Sequence, residues 1–205
     1  MKISVSILKE KNNINKVIDK LNKTDCDYIH LDIMDGTFTD NSSFQLNSFS
    51  DVYTNKKYDI HIMSTNLDEQ IDEAIKLKPD IITFHFEATN DHKKYIDLIK
   101  KNNIKVGISI NPETNIENII DLLDYIDLVL IMSVTPGLSG QEFDMSVIEK
   151  LKLIKEYNNK IIISVDGGIN NKTVNFVKEY VNIIVSGSYV TNSIDYQKNI
   201  DVLRM

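Results

Sequence analysis

The feature that most constrains the fold is an eightfold alternation of short apolar runs with stretches of helical spacing. Between the runs, apolar residues recur every three or four positions, as in Leu67, Ile71 and Ala74, which is the spacing of one helix face. Short apolar strands joined in this way are typical of parallel βα units. The strand-like runs lie at residues 3–8, 28–34, 59–63, 81–86, 105–110, 127–132, 161–165 and 182–185.

Eight such units in 205 residues predict a (β/α)8 TIM barrel that occupies residues 1–205 as a single domain. The alternative is an open doubly wound sheet, which usually has fewer strands in this length and a Gly-x-Gly-x-x-Gly turn after its first strand. No such turn follows Val5-Ser6-Ile7-Leu8. The helices are expected at residues 12–21, 46–53, 67–77, 95–99, 116–123, 145–157, 173–180 and 194–203.

Composition and charge exclude several classes of partner. The net charge of −7, without a cluster of Lys and Arg among aromatic residues, argues against nucleic-acid binding. No apolar run reaches about 18 residues, so we expect no membrane partner. The single cysteine, Cys26, cannot form an internal disulfide, which fits a cytoplasmic location. A homo-oligomer stays open because no interface can be identified in the sequence.

Functional side chains of such barrels gather at the carboxyl ends of the strands. His30, Asp32 and Met34 share one face of the second strand, because strand side chains alternate. His61 ends the third strand and Asp166 the seventh, so His30, Asp32, His61 and Asp166 could converge. Two imidazoles and two carboxylates suit Zn²⁺, Fe²⁺ or Mn²⁺ better than Ca²⁺ or Mg²⁺. The alternative is four isolated polar residues, but buried unpaired carboxylates would cost several kcal/mol each.

Glycine-rich loops follow the last three strands. Asp166-Gly167-Gly168 and Gly187-Ser188 stand where (β/α)8 barrels commonly bind phosphate, since glycine lets backbone N–H groups approach an anion. Plain turn glycines are the alternative interpretation. The segment Pro136-Gly137-Leu138-Ser139-Gly140-Gln141 has the composition of a flap over a site.

Taken together, these motifs resemble the ribulose-phosphate 3-epimerase family. The resemblance runs from Ser6-Ile7-Leu8 to Gly187-Ser188, which is nearly the whole chain. Its most specific pieces are His30-Leu31-Asp32-Ile33-Met34-Asp35-Gly36, Asp59-Ile60-His61-Ile62-Met63, Met132-Ser133-Val134-Thr135-Pro136-Gly137 and Val165-Asp166-Gly167-Gly168.

The resemblance implies a (β/α)8 barrel that interconverts D-ribulose 5-phosphate and D-xylulose 5-phosphate in the pentose phosphate pathway. It implies one divalent metal ion, Zn²⁺, Fe²⁺ or Mn²⁺, held by His30, Asp32, His61 and Asp166, with Asp32 and Asp166 as the catalytic acid/base pair. The methionines implied to line the cavity are Met34, Met63 and Met132. The implied substrate-binding residues are Ser6, His61, Gly137, Leu138, Ser139, Gly140, Gly167, Gly168, Gly187 and Ser188.

Several positions depart from the family pattern. Val5 stands where proline is frequent, Thr39-Asp40-Asn41 replaces Val-Pro-Asn, and Leu138-Ser139 replaces Phe-Gly. These departures concern the flap and the fit of the substrate, and they leave the metal ligands intact. Neither His85 nor His92 is assigned to the metal. We expect a packed or cavity-lining His85 and a solvated His92.

Three alternative functions remain to be weighed. Asn111-Pro112-Glu113-Thr114 also occurs in the related allulose-6-phosphate 3-epimerases, which leaves the length of the substrate open. A decarboxylase of the orotidine-phosphate type is disfavoured, because Met34 stands where its Asp-x-Lys-x-x-Asp pattern has lysine. A barrel that only binds a sugar phosphate is disfavoured because no implied ligand or acid is missing.

Overall fold

The computed structural model describes residues 1–11, 13–138 and 140–205. Eight parallel strands form a closed barrel in which each strand pairs with the next, and β8 pairs with β1. The predicted (β/α)8 architecture is therefore confirmed. The strands are β1 Lys2–Ser6, β2 Tyr28–Met34, β3 Lys57–Met63, β4 Ile81–His85, β5 Lys105–Ile110, β6 Leu128–Met132, β7 Ile162–Asp166 and β8 Ile183–Ser186.

The α-helices of the described chain pack their apolar faces against the outside of the barrel. In α2, for example, Leu67, Ile71 and Ala74 are buried. None of the helices within the described ranges is long and apolar enough to cross a membrane. The helices are α1 Ile14–Leu21, α2 Leu67–Lys76, α3 His92–Lys101, α4 Val147–Tyr157, α5 Val174–Val177, α6 Ser188–Thr191 and α7 Tyr196–Arg204.

Three predicted helices are wrong in type or length. The expected helix at 46–53 is a 3₁₀ helix, Leu46–Phe49, and that at 116–123 is two 3₁₀ turns, Ile116–Asn118 and Ile120–Leu122. The one expected at 173–180 is reduced to the single turn of α5. These connections bury pairs of residues three positions apart, such as Leu46 with Phe49, and one tight turn is enough to align such a pair.

The amino-terminal end of the barrel is closed by a polar cluster around Asp80. The Tyr28 hydroxyl and Lys105 Nζ each donate to Asp80 Oδ2 at 2.9 Å, and Lys57 Nζ donates to Oδ1 at 2.8 Å. Burial acts to raise the pKa of Asp80, but these hydrogen bonds lower it to about 2. Above this layer, Leu128, Leu130, Ile183 and other apolar side chains fill the lower interior.

Close packing inside the barrel extends to the backbone at Gly107 on β5. A Cβ atom at this position would lie 2.3 Å from Thr83 Oγ1 and 2.9 Å from Leu128 Cδ2. The interior at this level is therefore filled by side chains, below the carboxyl ends of the strands.

Candidate active site

The four polar side chains expected to converge do so at the carboxyl end of the barrel. His30 and Asp32 project from β2, His61 from β3 and Asp166 from the end of β7. Each offers one nitrogen or oxygen atom, and these four atoms lie within 4.8 Å of one another. The register of β2 and β3 places Asp32 directly beside His61, which explains why residues 29 positions apart meet.

The spacing of these atoms fits a divalent metal ion. His30 Nε2 lies 3.4 Å from Asp32 Oδ1 and 3.9 Å from Asp166 Oδ2, and His61 Nδ1 lies 3.5 Å from Asp32 Oδ1. Two ligands of a tetrahedral ion with bonds of about 2.1 Å are about 3.4 Å apart. His30 Nε2 and His61 Nδ1 are buried without a hydrogen-bond partner within the described ranges. A bound ion would satisfy both nitrogens.

Hydrogen bonds from neighbouring residues orient the β2 ligands. His30 Nδ1 donates to Asp59 Oδ2 at 2.9 Å, and Ser4 Oγ donates to the same oxygen at 2.8 Å. Ser6 Oγ donates to Asp32 Oδ2 at 2.6 Å. A carboxylate behind a metal-binding imidazole fixes which ring nitrogen faces the ion. The roles of Asp59 and Ser4 were not predicted, although Asp59 shares the inward face of its strand with His61.

Two histidines near the end of β4 differ in their surroundings. His85 is fully buried, and its Nε2 lies 2.9 Å from His61 Nε2. His85 therefore contacts a predicted metal ligand, which the sequence did not show. The expectation that His92 is solvated holds only in part. Its ring stacks on Phe86 at 4.5 Å, and its Nε2 donates to the Phe86 carbonyl at 2.8 Å, so the side chain is half-buried.

The two carboxyl groups of the cluster differ in protonation. Burial raises the pKa of Asp166, and the neighbouring Asp32 carboxylate raises it further, to about 7. Burial also acts to raise the pKa of Asp32, but the charge of His30 and the closeness of the His30 and His61 rings bring it far below its ordinary value. Near neutral pH, the metal-free site thus holds one ionised carboxylate beside one partly protonated carboxyl group.

A cleft with a volume of about 320 Å³ opens above the cluster. His30 and His61 lie beneath it, fully covered. Met34 does not line this cleft, although the sequence suggested that it would; it pairs with Met63 across β2 and β3 and lines a neighbouring pocket. Ser139 lies outside the described residues. The predicted residues that do line the cleft are Ser6, Asp32, Met63, Met132, Gly137, Leu138, Gly140, Asp166, Gly167, Gly168, Gly187 and Ser188.

The far wall of the cleft is built from the loops after β6, β7 and β8. Gly167 and Gly168 have φ values of +113° and +61°, and a Cβ atom at Gly168 would lie 2.6 Å from the Phe143 nitrogen. Glycine is therefore required where the β7 loop turns over the site. Gln141 Nε2 donates to the carbonyls of Thr135 and Leu138 at 2.7 and 2.9 Å, which folds the β6 loop onto itself.

The side chains that line the cleft carry little positive charge. None of the described lining residues is Lys or Arg, while Asp32 and Asp166 are both present. The ammonium group of Lys9 lies at the edge of the cleft, beside Gly140. Lys9, in the 3₁₀ helix Leu8–Glu10 after β1, brings its Nζ to 3.1 Å from where a Cβ atom of Gly140 would stand. Lys9 was not among the predicted site residues.

Fold and site together define a (β/α)8 barrel with two carboxyl groups in a cluster able to hold a metal ion. The ribulose-phosphate 3 epimerase family model matches residues 2–191. The chain belongs to this family and is therefore an isomerase.

Curated relatives agree with this assignment. Ribulose-phosphate 3-epimerase of Buchnera aphidicola subsp. Baizongia pistaciae is 38% identical over 89% of this chain and 84% of the relative. The Bacillus subtilis enzyme of the same name is 35% identical, over 91% of this chain and 90% of the relative. The Helicobacter pylori J99 enzyme is 34% identical, over 100% of this chain and 97% of the relative.

Solved structures of other enzymes share the barrel. Thiamine phosphate pyrophosphorylase from Pyrococcus furiosus superposes with a TM-score of 0.68 at 17% identity, covering 99% of this chain and 93% of that one. For 3-hexulose-6-phosphate synthase from Salmonella typhimurium the TM-score is also 0.68, at 16% identity, with coverage of 99% and 96%. At these identities the likeness shows the fold alone.

Proposed function

We propose that the protein interconverts D-ribulose 5-phosphate and D-xylulose 5-phosphate, a reaction of the pentose phosphate pathway. The observation that carries this proposal is the pair Asp32 and Asp166, two carboxyl groups at one metal-competent cluster with pKa values displaced in opposite directions. The names of the relatives support the choice of substrate. We further propose that His30, Asp32, His61 and Asp166 hold one divalent metal ion.

The chemistry requires two acid/base groups. The proton on C3 is acidic because C3 is adjacent to the C2 carbonyl, and its removal gives an enediolate. A single base would return the proton to the face from which it came, so inversion requires a second group on the opposite face. An ionised Asp32 accepts a proton and a protonated Asp166 donates one, and the reverse reaction exchanges these roles. A bound divalent ion would supply Lewis-acid stabilisation of the enediolate charge.

Other residues of the cleft position the substrate and exclude water. Met63 and Met132 provide an apolar lining without acidic protons that could compete with the transfer. We assign the phosphate to the backbone of Gly167, Gly168 and the Gly187-Ser188 turn, which line the cleft. Lys9 contributes the nearby positive charge. Ser6, which donates to Asp32, is placed to contact both that carboxylate and the substrate.

The experiment that tests this proposal is turnover of ribulose 5-phosphate in D₂O, followed by NMR of both epimers. We expect xylulose 5-phosphate to form with deuterium at C3 alone. Label at another carbon, or epimerisation without label from solvent, would show that a different step is catalysed. The same assay with allulose 6-phosphate measures the preference left open by Asn111-Pro112-Glu113-Thr114. A larger kcat/KM for the hexose phosphate would move the assignment to that substrate.

A further inference from the structure

A second layer of hydrogen bonds lies behind His61, on the side away from the cleft. His61 Nε2 is 2.9 Å from His85 Nε2, and His85 Nδ1 is 3.3 Å from Glu87 Oε2. The side chains of His61 and His85 are both fully buried, and that of Glu87 is 23% exposed. These contacts form a row, Glu87–His85–His61, that ends at the metal-competent cluster.

Only one arrangement of protons satisfies this row when His61 binds a metal ion through Nδ1. The Nε2 atom of a neutral His61 then carries the proton and must donate it to an acceptor. His85 Nε2 lies in hydrogen-bond distance, so it must be the unprotonated nitrogen of its ring. The proton of a neutral His85 then resides on Nδ1, which faces the Glu87 carboxylate. Each donor of the row therefore has one acceptor.

Glu87 is itself held by the next strand's loop. Its Oε1 accepts a hydrogen bond from the Asn111 backbone nitrogen at 2.9 Å and another from the Thr114 hydroxyl. The ring of Phe38, from the loop after β2, covers His85 with the ring centroids 4.5 Å apart. The position of His85 is thus fixed on two sides.

We propose that His85 and Glu87 are positioning residues that orient His61 and hold its Nδ1 toward the metal ion. The proposal rests on the metal site of the proposed function. The two imidazole ligands then differ in their support. The Asp59 carboxylate accepts a hydrogen bond directly from His30, whereas the neutral imidazole of His85 lies between His61 and the Glu87 carboxylate. Loss of a partner of this kind typically costs about 10- to 100-fold in metal affinity or activity.

The test compares Co²⁺ affinity, measured by competition with a chelator, among variants freed of metal. His85→Leu removes the acceptor, and we expect the dissociation constant to rise by about 10- to 100-fold. His85→Gln keeps a carbonyl for His61 and an amide for Glu87, so it should recover most of the affinity. The matched control is His92→Gln, which removes a histidine of the same segment that does not contact the cluster, and its affinity should equal that of the wild type.

The visible spectrum of bound Co²⁺ provides a second readout. It should change in His85→Leu, because a freed His61 ring alters the geometry at the ion, and return toward the wild-type spectrum in His85→Gln. Equal affinity and spectrum for His85→Leu and the wild type would overturn the proposal. If His85→Leu does not fold, Glu87→Gln replaces it: affinity weakened relative to the wild type would support the row, and unchanged affinity would overturn it.

Nuclear magnetic resonance of ¹⁵N-labelled imidazoles tests the proton arrangement itself. We expect a protonated Nδ1 and an unprotonated Nε2 in His85 of the metal-loaded protein, and the opposite tautomer would overturn the proposal. These readouts do not use turnover. A protein that shows the expected cobalt and imidazole behaviour but does not epimerise ribulose 5-phosphate would refute the proposed function and leave the positioning role intact.

Discussion

Asp32 and Asp166 offer oxygen atoms within 4.8 Å of each other, yet their pKa values are displaced in opposite directions. The difference arises from the neighbours of each group. Burial acts to raise both pKa values, but the charge of His30 lowers that of Asp32, whereas the Asp32 charge raises that of Asp166 further. Paired carboxyl groups with separated pKa values are well suited to acid/base catalysis.

The first prediction concerns this pair. Asp32→Asn and Asp166→Asn should each lower kcat for epimerisation by about 10²- to 10⁴-fold, because each removes one of the two proton-transfer groups. The matched control is Asp80→Asn, which removes a partly buried carboxylate at the opposite end of the barrel and should leave kcat unchanged. Thermal unfolding establishes that all three variants fold. Near-normal turnover in either active-site variant would contradict the two-base mechanism.

Removal of metal should abolish most of the activity. Treatment with a strong chelator is expected to reduce turnover, and Zn²⁺, Fe²⁺ or Mn²⁺ should restore it. Metal should also raise the free energy of unfolding, by about 2.7 kcal/mol at a concentration 100 times the dissociation constant. Chemical denaturation with and without metal measures this difference. Full activity of the metal-free protein would be incompatible with the proposed role of the four ligands.

The stability of the metal-free protein should depend on pH through Asp166. Its folded pKa of about 7 exceeds the ordinary value of 3.8, so the native state holds this proton more tightly than the unfolded chain does. The stabilising contribution is therefore fully present below pH 3.8 and is lost as the pH rises through 7. The loss is at most about 1.4 kcal/mol per pH unit.

Asp166→Asn isolates this effect, because asparagine does not titrate. We expect the variant to gain stability relative to the wild type as the pH rises across that interval, as measured by urea denaturation in the presence of a chelator. The pKa of His30 is also raised, against the opposing effect of burial, and its titration contributes to the pH dependence of stability in both proteins. A difference between the two proteins that does not change with pH would contradict the raised pKa of Asp166.

Lys9 should strengthen binding of the phosphorylated substrate. Lys9→Met is expected to raise KM by several-fold, in line with about 1 kcal/mol for an exposed charge, and to reduce the dependence of KM on salt. Lys11→Met is the control, since Lys11 belongs to the same loop but donates to the Ser42 carbonyl. Steady-state kinetics at low and high salt measure both variants. Equal KM values for Lys9→Met and Lys11→Met would place Lys9 outside the phosphate site.

Gly107 should tolerate no side chain. Gly107→Ala places a methyl group against Thr83 and Leu128, and we expect a loss of about 1–3 kcal/mol in the free energy of unfolding. Ser109→Ala on the same strand removes only a buried hydroxyl that has no hydrogen-bond partner in the described part of the chain, so its effect should be small. Urea denaturation compares them. Equal stability of Gly107→Ala and the wild type would show that the interior can adjust.

Strand periodicity was sufficient to predict the barrel and the convergence of His30, Asp32, His61 and Asp166. Alternation along a strand is local, and the carboxyl ends of parallel strands all point the same way. The contact of His61 with His85 could not be predicted in this way, because it depends on the register of β3 and β4 and on side-chain rotamers. The 3₁₀ helices were missed because a pair such as Leu46 and Phe49 is compatible with either helix type.

The order of the ligands along the chain has a consequence for biosynthesis. His30, Asp32 and His61 lie on adjacent strands near the amino terminus, whereas Asp166 lies on β7, across the barrel and much later in the chain. A nascent chain therefore exposes three ligands to cellular cations more than 100 residues before the fourth is synthesised. An ion bound at that stage would link only β2 and β3. Binding of Asp166 as the fourth ligand would then require that β7 has packed into the barrel.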